Sequence, residues 1–477
     1  MTELLDLNIR NVHCPLAKKI KLLSQKLSAN FHALPLSGHA LEQDKVFSNF
    51  YHDFYGKNYL EREITLAGEF LDSFFFPKHV IKASQQLAAS AFRAKDTLFV
   101  TCGTTIANYI AIEALLEKNE RVLLDRNAHQ SLHFAVSNKT NHIEYLHSHL
   151  CCEYTEKKVF HIDDLLDMVL KAREAGQPFV LIAISASSYD GIIYKLSDIV
   201  QRVIEISPEV TFLFDEAWSS AFYFSEQLFQ YTAGYAAECF PKVNIVSTQS
   251  AHKSLLALRQ GSYIHSFADE KITTRLYEAR FRYHSTSPSY PILASLDLAR
   301  AHMELRGSAL MHSLKLMGER FRKALEQHPE LFQFQVPNRL THIAQQSGGI
   351  AFEDSLKISI NIKAKIATPG ELQKFLFQTA GIYLNRFTKN SLLINFHIGL
   401  TDQDIDKLLE ALLKMNKHFK NKETYFPTKL STPHKNRFII NYPPGIPLVV
   451  PGEDLSLEMF ERIQEYQRVG ISVFEIN

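Results

Sequence analysis

The sequence predicts an α/β fold: an open, mostly parallel sheet of seven strands, followed by a smaller α+β module. From about Asp96, short β-rich runs alternate with longer helical patterns. Several runs are continuously apolar, such as FVLIAIS (179–185), as expected of strands buried on both faces. Beyond Pro337 the pattern resets into a mixed module.

In chain order, strands are expected over Thr97–Thr101, Arg121–Asp125, His142–His147, Phe179–Ser185, Thr211–Asp215, Asn244–Thr248 and Ser262–Ser266. Between the first two, Ile106, Ile110, Leu115 and Leu116 give the stretch Thr105–Lys118 a broad apolar helical face. Helical crossovers between such strands make a parallel sheet. A long helix is expected from about Ser289 to Glu326. The later module should hold a strand over Lys357–Ile362, a helix over Pro369–Ala380 and a strand over Leu392–Ile398. Pro443, Pro444, Pro447 and Pro451 predict a rigid extended segment with few backbone donors. The expected division is an N-terminal segment (1–60), a large cofactor-binding domain (61–310) and a smaller C-terminal domain (311–477).

A hydrophobic fraction of 46% with 22% charged residues fits a folded globular protein. Lysine and arginine (52) nearly balance aspartate and glutamate (51), so no overall charge attracts nucleic acid or anionic lipid. The five cysteines (Cys14, Cys102, Cys151, Cys152, Cys239) are scattered and form no CxxC, which predicts reduced thiols in a cytoplasm. The start MTELLDLNIRNVHC has no apolar core, and no run approaches the roughly 20 apolar residues of a membrane span. A cytoplasmic protein with no nucleic-acid or membrane partner is expected.

Ligands of open α/β sheets bind beyond the carboxyl ends of the strands. Three residue sets fall at such ends. Gly103-Thr104-Thr105 lies between a strand and a helix, where amides, hydroxyls and the helix dipole suit a phosphate or simply make an ordinary turn and cap. Asp215 closes an apolar strand and needs a cation or donors, such as a protonated pyridine nitrogen, or it caps the next helix. Lys253 follows Ser250 and His252 after a strand, where it could form a Schiff base or be a solvated lysine. Jointly, phosphate anchor, carboxylate and lysine are what a pyridoxal 5'-phosphate enzyme needs. GxGxxG after the first strand and GxxxxGK[ST] are absent, so the Rossmann and phosphate-loop readings fail; no HExxH or other close cluster appears among the 21 histidines, so no metal is expected.

Seven stretches carry a family resemblance: FVTCGTTIANYIAI (99–112), LLDRNAHQSLH (123–133), SASSYDG (185–191), LFDEAW (213–218), STQSAHKSLLALRQGSYIH (247–265), HSTSPSYPILASLD (284–297) and NYPPGIPLVVPGE (441–453). Together they resemble the major domain of the bacterial ornithine/lysine/arginine decarboxylases, a fold-type I (aspartate-aminotransferase-like) pyridoxal-phosphate family. The resemblance implies a Schiff base at Lys253, a pyridine-nitrogen partner in Asp215 and a ring-stacking His129. It implies phosphate contacts from Thr104, Thr105, Ser250 and His252, with Thr286 reaching in from a neighbouring subunit. Trp218 and Tyr442 would line the pocket.

The activity so implied is decarboxylation of a basic or related aliphatic L-amino acid, a small-molecule substrate, to an amine of polyamine metabolism. The rivals are another pyridoxal-phosphate reaction on a modified basic amino acid (elimination, cyclisation or oxidative decarboxylation) and an inactive cofactor-binding regulator. Retention of Lys253, Asp215 and His129 argues against the regulator.

The chain also departs from the pattern. No wing domain precedes FYHDFYGKN (50–58), so a homodimer is expected rather than a decamer. Where the family places a substrate-facing glutamate, this chain has Asn385. Phe74-Phe75-Phe76 replaces a small polar turn, and His397 stands where a serine is usual. Losing the carboxylate weakens the case for a free ammonium tail, since an ammonium in a dry pocket needs an anionic partner. A guanidinium can still stack on aromatic rings, so arginine is the least disfavoured of the three basic amino acids. Glu216 or Glu453 would be the compensating acid.

Overall fold

The structure, a computed structural model, describes residues 12–36, 44–152, 155–331, 334–335, 342–362, 367–384, 386–388, 391–420 and 437–476. The chain divides into two compact units, each assembled from two stretches. The first comprises Met1–Lys118 and Val210–Ser308, the second Asn119–Glu209 and Ala309–Asn477.

In the first unit, helix Pro15–Lys26 starts on a proline, whose fixed φ and missing N–H suit a first helical position. The amides of Leu16 and Ala17 donate to one oxygen of Asp297 at 2.9 and 3.2 Å, a carboxylate set against the positive helix end. Leu16, Ile20 and Leu23 share its buried face. Strand Asp96–Val100 pairs antiparallel with Ser262–Ser266, which pairs antiparallel with Ile245–Gln249; that strand runs parallel to Thr211–Asp215. Helix Gly103–Leu115 follows the first strand and buries Ala107, Ile110, Ala111 and Leu115. Every residue of Thr211–Asp215 is buried, and each of Phe212, Leu213 and Phe214 contributes roughly 1.5–3 kcal/mol by leaving water.

In the second unit, Val122–Asp125 lies parallel to both Ile143–Leu146 and Leu181–Ser185. The α/β class and the seven-stranded sheet expected from the sequence are present, and three of these five ladders are parallel. The second unit adds a four-stranded antiparallel sheet whose neighbours run Phe334–Gln335, Lys357–Ile362, Ser391–Asn395, Arg386–Phe387. Helices Pro369–Ala380 and Asp402–Phe419 each begin with a capping box, Thr368 with Glu371 and Thr401 with Asp404.

The proline-rich region corrects its expectation. It is not merely an extended segment: Phe438–Tyr442 is the middle strand of a three-stranded sheet, between Ile446–Val449 and Ser472–Ile476. Pro443 and Pro444 occupy the turn, and Pro447 sits on the edge strand, where its missing donor costs no ladder bond.

Candidate active site

The first unit gathers most of the expected residues at its strand ends. Asp215 accepts from the Ala217 amide at 2.9 Å through Oδ1 and from the Asn108 side-chain amide at 3.1 Å through Oδ2. The Thr248 hydroxyl donates to Asn108 Oδ1 at 2.6 Å, which turns the Asn108 NH2 group toward Asp215. The Ala217 bond is the capping contact; the Thr248–Asn108–Asp215 relay goes beyond a cap. It holds a buried carboxylate as an acceptor at the end of its strand.

Lys253 lies on the short helix Ala251–Ser254, immediately after strand Ile245–Gln249. Its Nζ sits 4.3 Å from the centre of the Trp218 ring. Burial lowers its pKa, while the charge of Asp215 acts in the opposite direction. Among the described residues no carboxylate bonds this amine, so a neutral, nucleophilic form is accessible.

A trio of hydroxyls forms beside it. Thr104 Oγ1 meets Ser250 Oγ at 2.5 Å and Ser262 Oγ at 2.7 Å, at the start of helix Gly103–Leu115. The Gly103 amide does not point into an open anchor: it donates to the Gln260 carbonyl at 2.9 Å, with φ at +78°, where glycine is favoured. Thr105 is exposed one position further on. His252 Nδ1 lies 3.1 Å from the Gly261 carbonyl, which makes Nδ1 the donor and leaves Nε2 for a ligand; burial lowers its pKa. Thr286 is exposed between helices Glu270–Tyr283 and Tyr290–Glu326, and among the described residues no hydrogen bond or ion pair joins it to this group.

Three contributors were not singled out from the sequence. Ser262 is recognisable only from its partner Thr104. Ser254 Oγ is buried next to Lys253 with no hydrogen-bond partner among the described residues. One available signal was a polar Asn108 on an otherwise apolar helix face.

The second unit carries His129 and Tyr442. His129 caps helix Gln130–Ser137, with Nδ1 2.8 Å from Ser131 Oγ. The Gln130 amide donates to the Gly445 carbonyl at 2.8 Å. A Cβ on Gly445 would stand 3.2 Å from His129 Nε2, and its φ is +85°, so close approach and backbone both call for glycine there. Tyr442 ends its strand 56% exposed.

Neither acid considered as a substitute for the missing glutamate is available. Glu216 is fully buried and accepts from Tyr223 (2.8 Å), Gln249 (3.0 Å) and the Ala233 amide (2.9 Å), with its pKa raised by burial. Glu453 forms a two-pronged pair with Arg126, both N–O distances 2.7 Å. Asn385 lies outside the described residues. Phe74 packs on the Arg280 guanidinium (4.6 Å) and on His284 (4.7 Å), and His397 is exposed.

A family described as "Orn/Lys/Arg decarboxylase, major domain" matches residues 14–404. The chain belongs to this family. It is therefore a pyridoxal-phosphate-dependent carboxy-lyase. Similar proteins include an arginine decarboxylase of Bacillus anthracis, 25% identical over 89% of this chain and 88% of that protein. An ornithine decarboxylase of Haemophilus influenzae is 27% identical over 67% of this chain but only 47% of that longer protein. The uncharacterised YaaO of Bacillus subtilis is 24% identical over 93% of this chain and 92% of its own. Among solved structures, the lysine decarboxylase LdcF of Francisella novicida aligns with a TM-score of 0.80 at 20% identity, covering 98% of this chain and 79% of that one. That likeness shows the shared fold. Among the described residues no helix is long and apolar enough to cross a membrane, and no group of three or more metal-ligating side chains forms.

Proposed function

We propose that this family member removes the α-carboxyl group of a basic or related aliphatic L-amino acid as CO2 and releases the amine. The observation that carries the proposal is the pairing of the Asn108-held Asp215 with an unpaired, half-buried Lys253 in one unit. The residues fit pyridoxal phosphate: the unpartnered Ser254 hydroxyl and the Thr104–Ser250–Ser262 trio suit its phosphate, and Asp215 suits its ring nitrogen. When bound, this group supplies the electron sink for breaking the bond between Cα and the carboxylate carbon.

The chain's own side chains do the rest. Thr104, Thr105, Ser250 and His252 bind and orient the phosphate end. Asp215, held as an acceptor by Asn108 and Ala217, would keep a proton on the ring nitrogen. His129 would be the ring-stacking residue that the family resemblance implies, and Trp218 covers the Lys253 amine. Lys253 would hold the cofactor's aldehyde end, and its Nζ would serve as the proton donor toward Cα, a role its lowered pKa favours. Thr286 belongs to the partner's site in a homodimer, which its exposed position here supports. Tyr442 lines the substrate pocket. The enzyme acts in the cytoplasm.

Arginine is the proposed substrate among the three basic amino acids. Support comes from the neutral Asn385 in the sequence, from the commitment of Glu216 and Glu453 elsewhere, and from the arginine decarboxylases that match over most of their length. CO2 release and product mass from arginine, lysine and ornithine test both levels of the reading. A product other than the simple amine would replace decarboxylation with another reaction of the same cofactor. In Asn385→Glu, kcat/KM for lysine or ornithine should rise by about tenfold, the value of one charged hydrogen bond. A wild type that strongly prefers lysine, with no change in the variant, would end the arginine assignment.

A further inference from the structure

The second unit carries a polar, partly open cavity of about 180 Å³, walled by the loop after Val122–Asp125, the hairpin His149–Cys152/Lys157–Val159, and the start of helix Leu457–Arg468. A cavity of about 150 Å³ is enough to hold a benzene molecule, so this one has room for a small metabolite. Its wall is unusually cationic: Arg126, Lys158 and Arg462 face it, along with His147.

The three cations are not equivalent. Arg126 is engaged at every nitrogen, with Nε and Nη2 on Glu453, Nη1 on the Pro447 carbonyl (2.7 Å) and Nη2 also on the Leu448 carbonyl (2.9 Å). Arg462 is weakly engaged, 3.7 Å from Glu156 and 3.3 Å from the Tyr466 hydroxyl. Glu156 is itself held by that hydroxyl at 2.7 Å and by Arg386 at 3.3 Å. The Lys158 ammonium has no hydrogen bond or ion pair among the described residues; burial, with Arg462 and Arg126 beside it, pushes its pKa down to about 8 against the weaker opposing charges of Glu156 and Glu458. An ammonium in such surroundings ordinarily has a counter-charge.

A second observation points the same way. Ser148 Oγ also lines the cavity and is buried without a partner among the described residues. Buried hydroxyls are ordinarily satisfied, so an unmatched one beside an ammonium that no carboxylate bonds directly marks a place for an acceptor. Ser456 caps the helix by accepting from the Met459 amide, which leaves its own hydroxyl proton to donate toward the cavity. The wall's unshared acid is Glu458, which is exposed at its edge.

We infer that this cavity is a binding site for a small oxyanion, a carboxylate or phosphate group, held by Lys158 and Arg462 with hydroxyl donors from Ser148 and Ser456. The occupant would bear on the loop that carries His129, since Arg126 and Asn127 are part of the wall and stand just before it in the chain. The site does not depend on which amino acid the enzyme decarboxylates.

Calorimetric titration of the cofactor-saturated enzyme with inorganic phosphate, and separately with malonate, tests it. Saturable one-site binding of either probe is expected, and which one binds more tightly identifies the source chemistry. Binding should take up protons at pH 8, because an anion raises the pKa of Lys158 toward its ordinary value; the facing groups are Arg126, His147, Glu453, Glu458, Arg462 and the nearby Glu156. Lys158→Met should weaken binding by about tenfold or more, as loss of a charged hydrogen bond does. Lys158→Arg should retain it, and so should Lys171→Met, a charge loss at an exposed helix position. Failure of both probes to bind at millimolar concentration would overturn the inference. So would equal weakening in Lys158→Met and Lys171→Met, which would mean general charge screening, or full binding by Lys158→Met.

Discussion

The surroundings of Lys253 in the first unit and of Arg126 in the second treat a cation withdrawn from water in opposite ways. Arg126 finds a partner at each of its three side-chain nitrogens, with Glu453 on one side and two backbone carbonyls on the other. Its charge is permanent and its geometry fixed, as suits a guanidinium fork. Lys253 has the face of Trp218 and the nearby charge of Asp215, but the two oxygens of Asp215 already accept from Asn108 and Ala217. Burial therefore lowers the Lys253 pKa instead of locking in its charge. The same physical cost is offset where a cation is paired, and where pairing is withheld it leaves an amine of lowered pKa, as the role proposed for Lys253 requires.

Removing each cation should break this contrast in a different observable. Lys253→Ala is expected to lower kcat by at least about 10³-fold, within the range for losing a positioned proton donor, and to abolish the visible absorption of the bound cofactor. Its thermal unfolding should change little, since no bond to another described side chain is lost. A variant that keeps its colour and turnover would remove Lys253 from the chemistry.

Arg126→Met should instead act on stability. Glu453, with its side chain 17% exposed, would lose its counter-charge and two carbonyls their donor, at a cost of about 3–5 kcal/mol in urea unfolding. A loss under about 1 kcal/mol, the scale of exposed pairs, would mean water replaces the guanidinium freely.

Two buried histidines extend the comparison to acid. His265, beside Thr97 Oγ1 at 2.8 Å and stacked on Phe92, has its pKa lowered to about 3 by burial. His133, in the second unit, is lowered to about 3 by burial and then by the charge of Arg126. Both stay neutral in the folded chain, whereas in the unfolded chain they take up protons below their ordinary value of 6.5. The unfolded state thus binds more protons, and stability falls as pH drops from about 6.5 toward 3. Each histidine should contribute a slope approaching about 1.4 kcal/mol per pH unit. Urea midpoints between pH 7 and pH 5 measure it, and His265→Phe should shallow the slope.

The smallest effect sharpens the role of the Asp215 relay. Asn108→Ala removes one hydrogen bond to a carboxylate, which should lower kcat by about tenfold while leaving KM nearly unchanged. A rise in KM alone would make Asn108 part of the binding wall instead of a positioning residue.

Much of this was legible from local pattern. The continuous apolar runs mark strands with near-correct ends: Thr211–Asp215 and Ser262–Ser266 match their expected bounds, as do Lys357–Ile362 and Pro369–Ala380. Burial on both faces leaves a composition that a short window detects. The small strands Ile192–Tyr194 and Ala351–Glu353 went unseen, because three residues are too few for a period. The antiparallel direction of Ser262–Ser266 was also hidden, since direction leaves no trace in an apolar run.

By itself, then, the sequence determined the α/β class and the family, and it put forward Lys253, Asp215 and His129 as candidate site residues, because each depends on residue types in a short stretch. Tertiary structure decided which acid serves which purpose. Asp215 and Glu216 are neighbours in sequence, yet one is held by Asn108 and the other is enclosed by Tyr223, Gln249 and the Ala233 amide. Successive side chains at a strand end leave in opposite directions, so adjacent carboxylates enter different environments. Glu453 and Arg126, 327 positions apart, meet only because the fold closes a loop between them. A local pattern records which residues are buried; what each buried polar group bonds to is set by whatever distant segment the fold brings within about 3 Å of it.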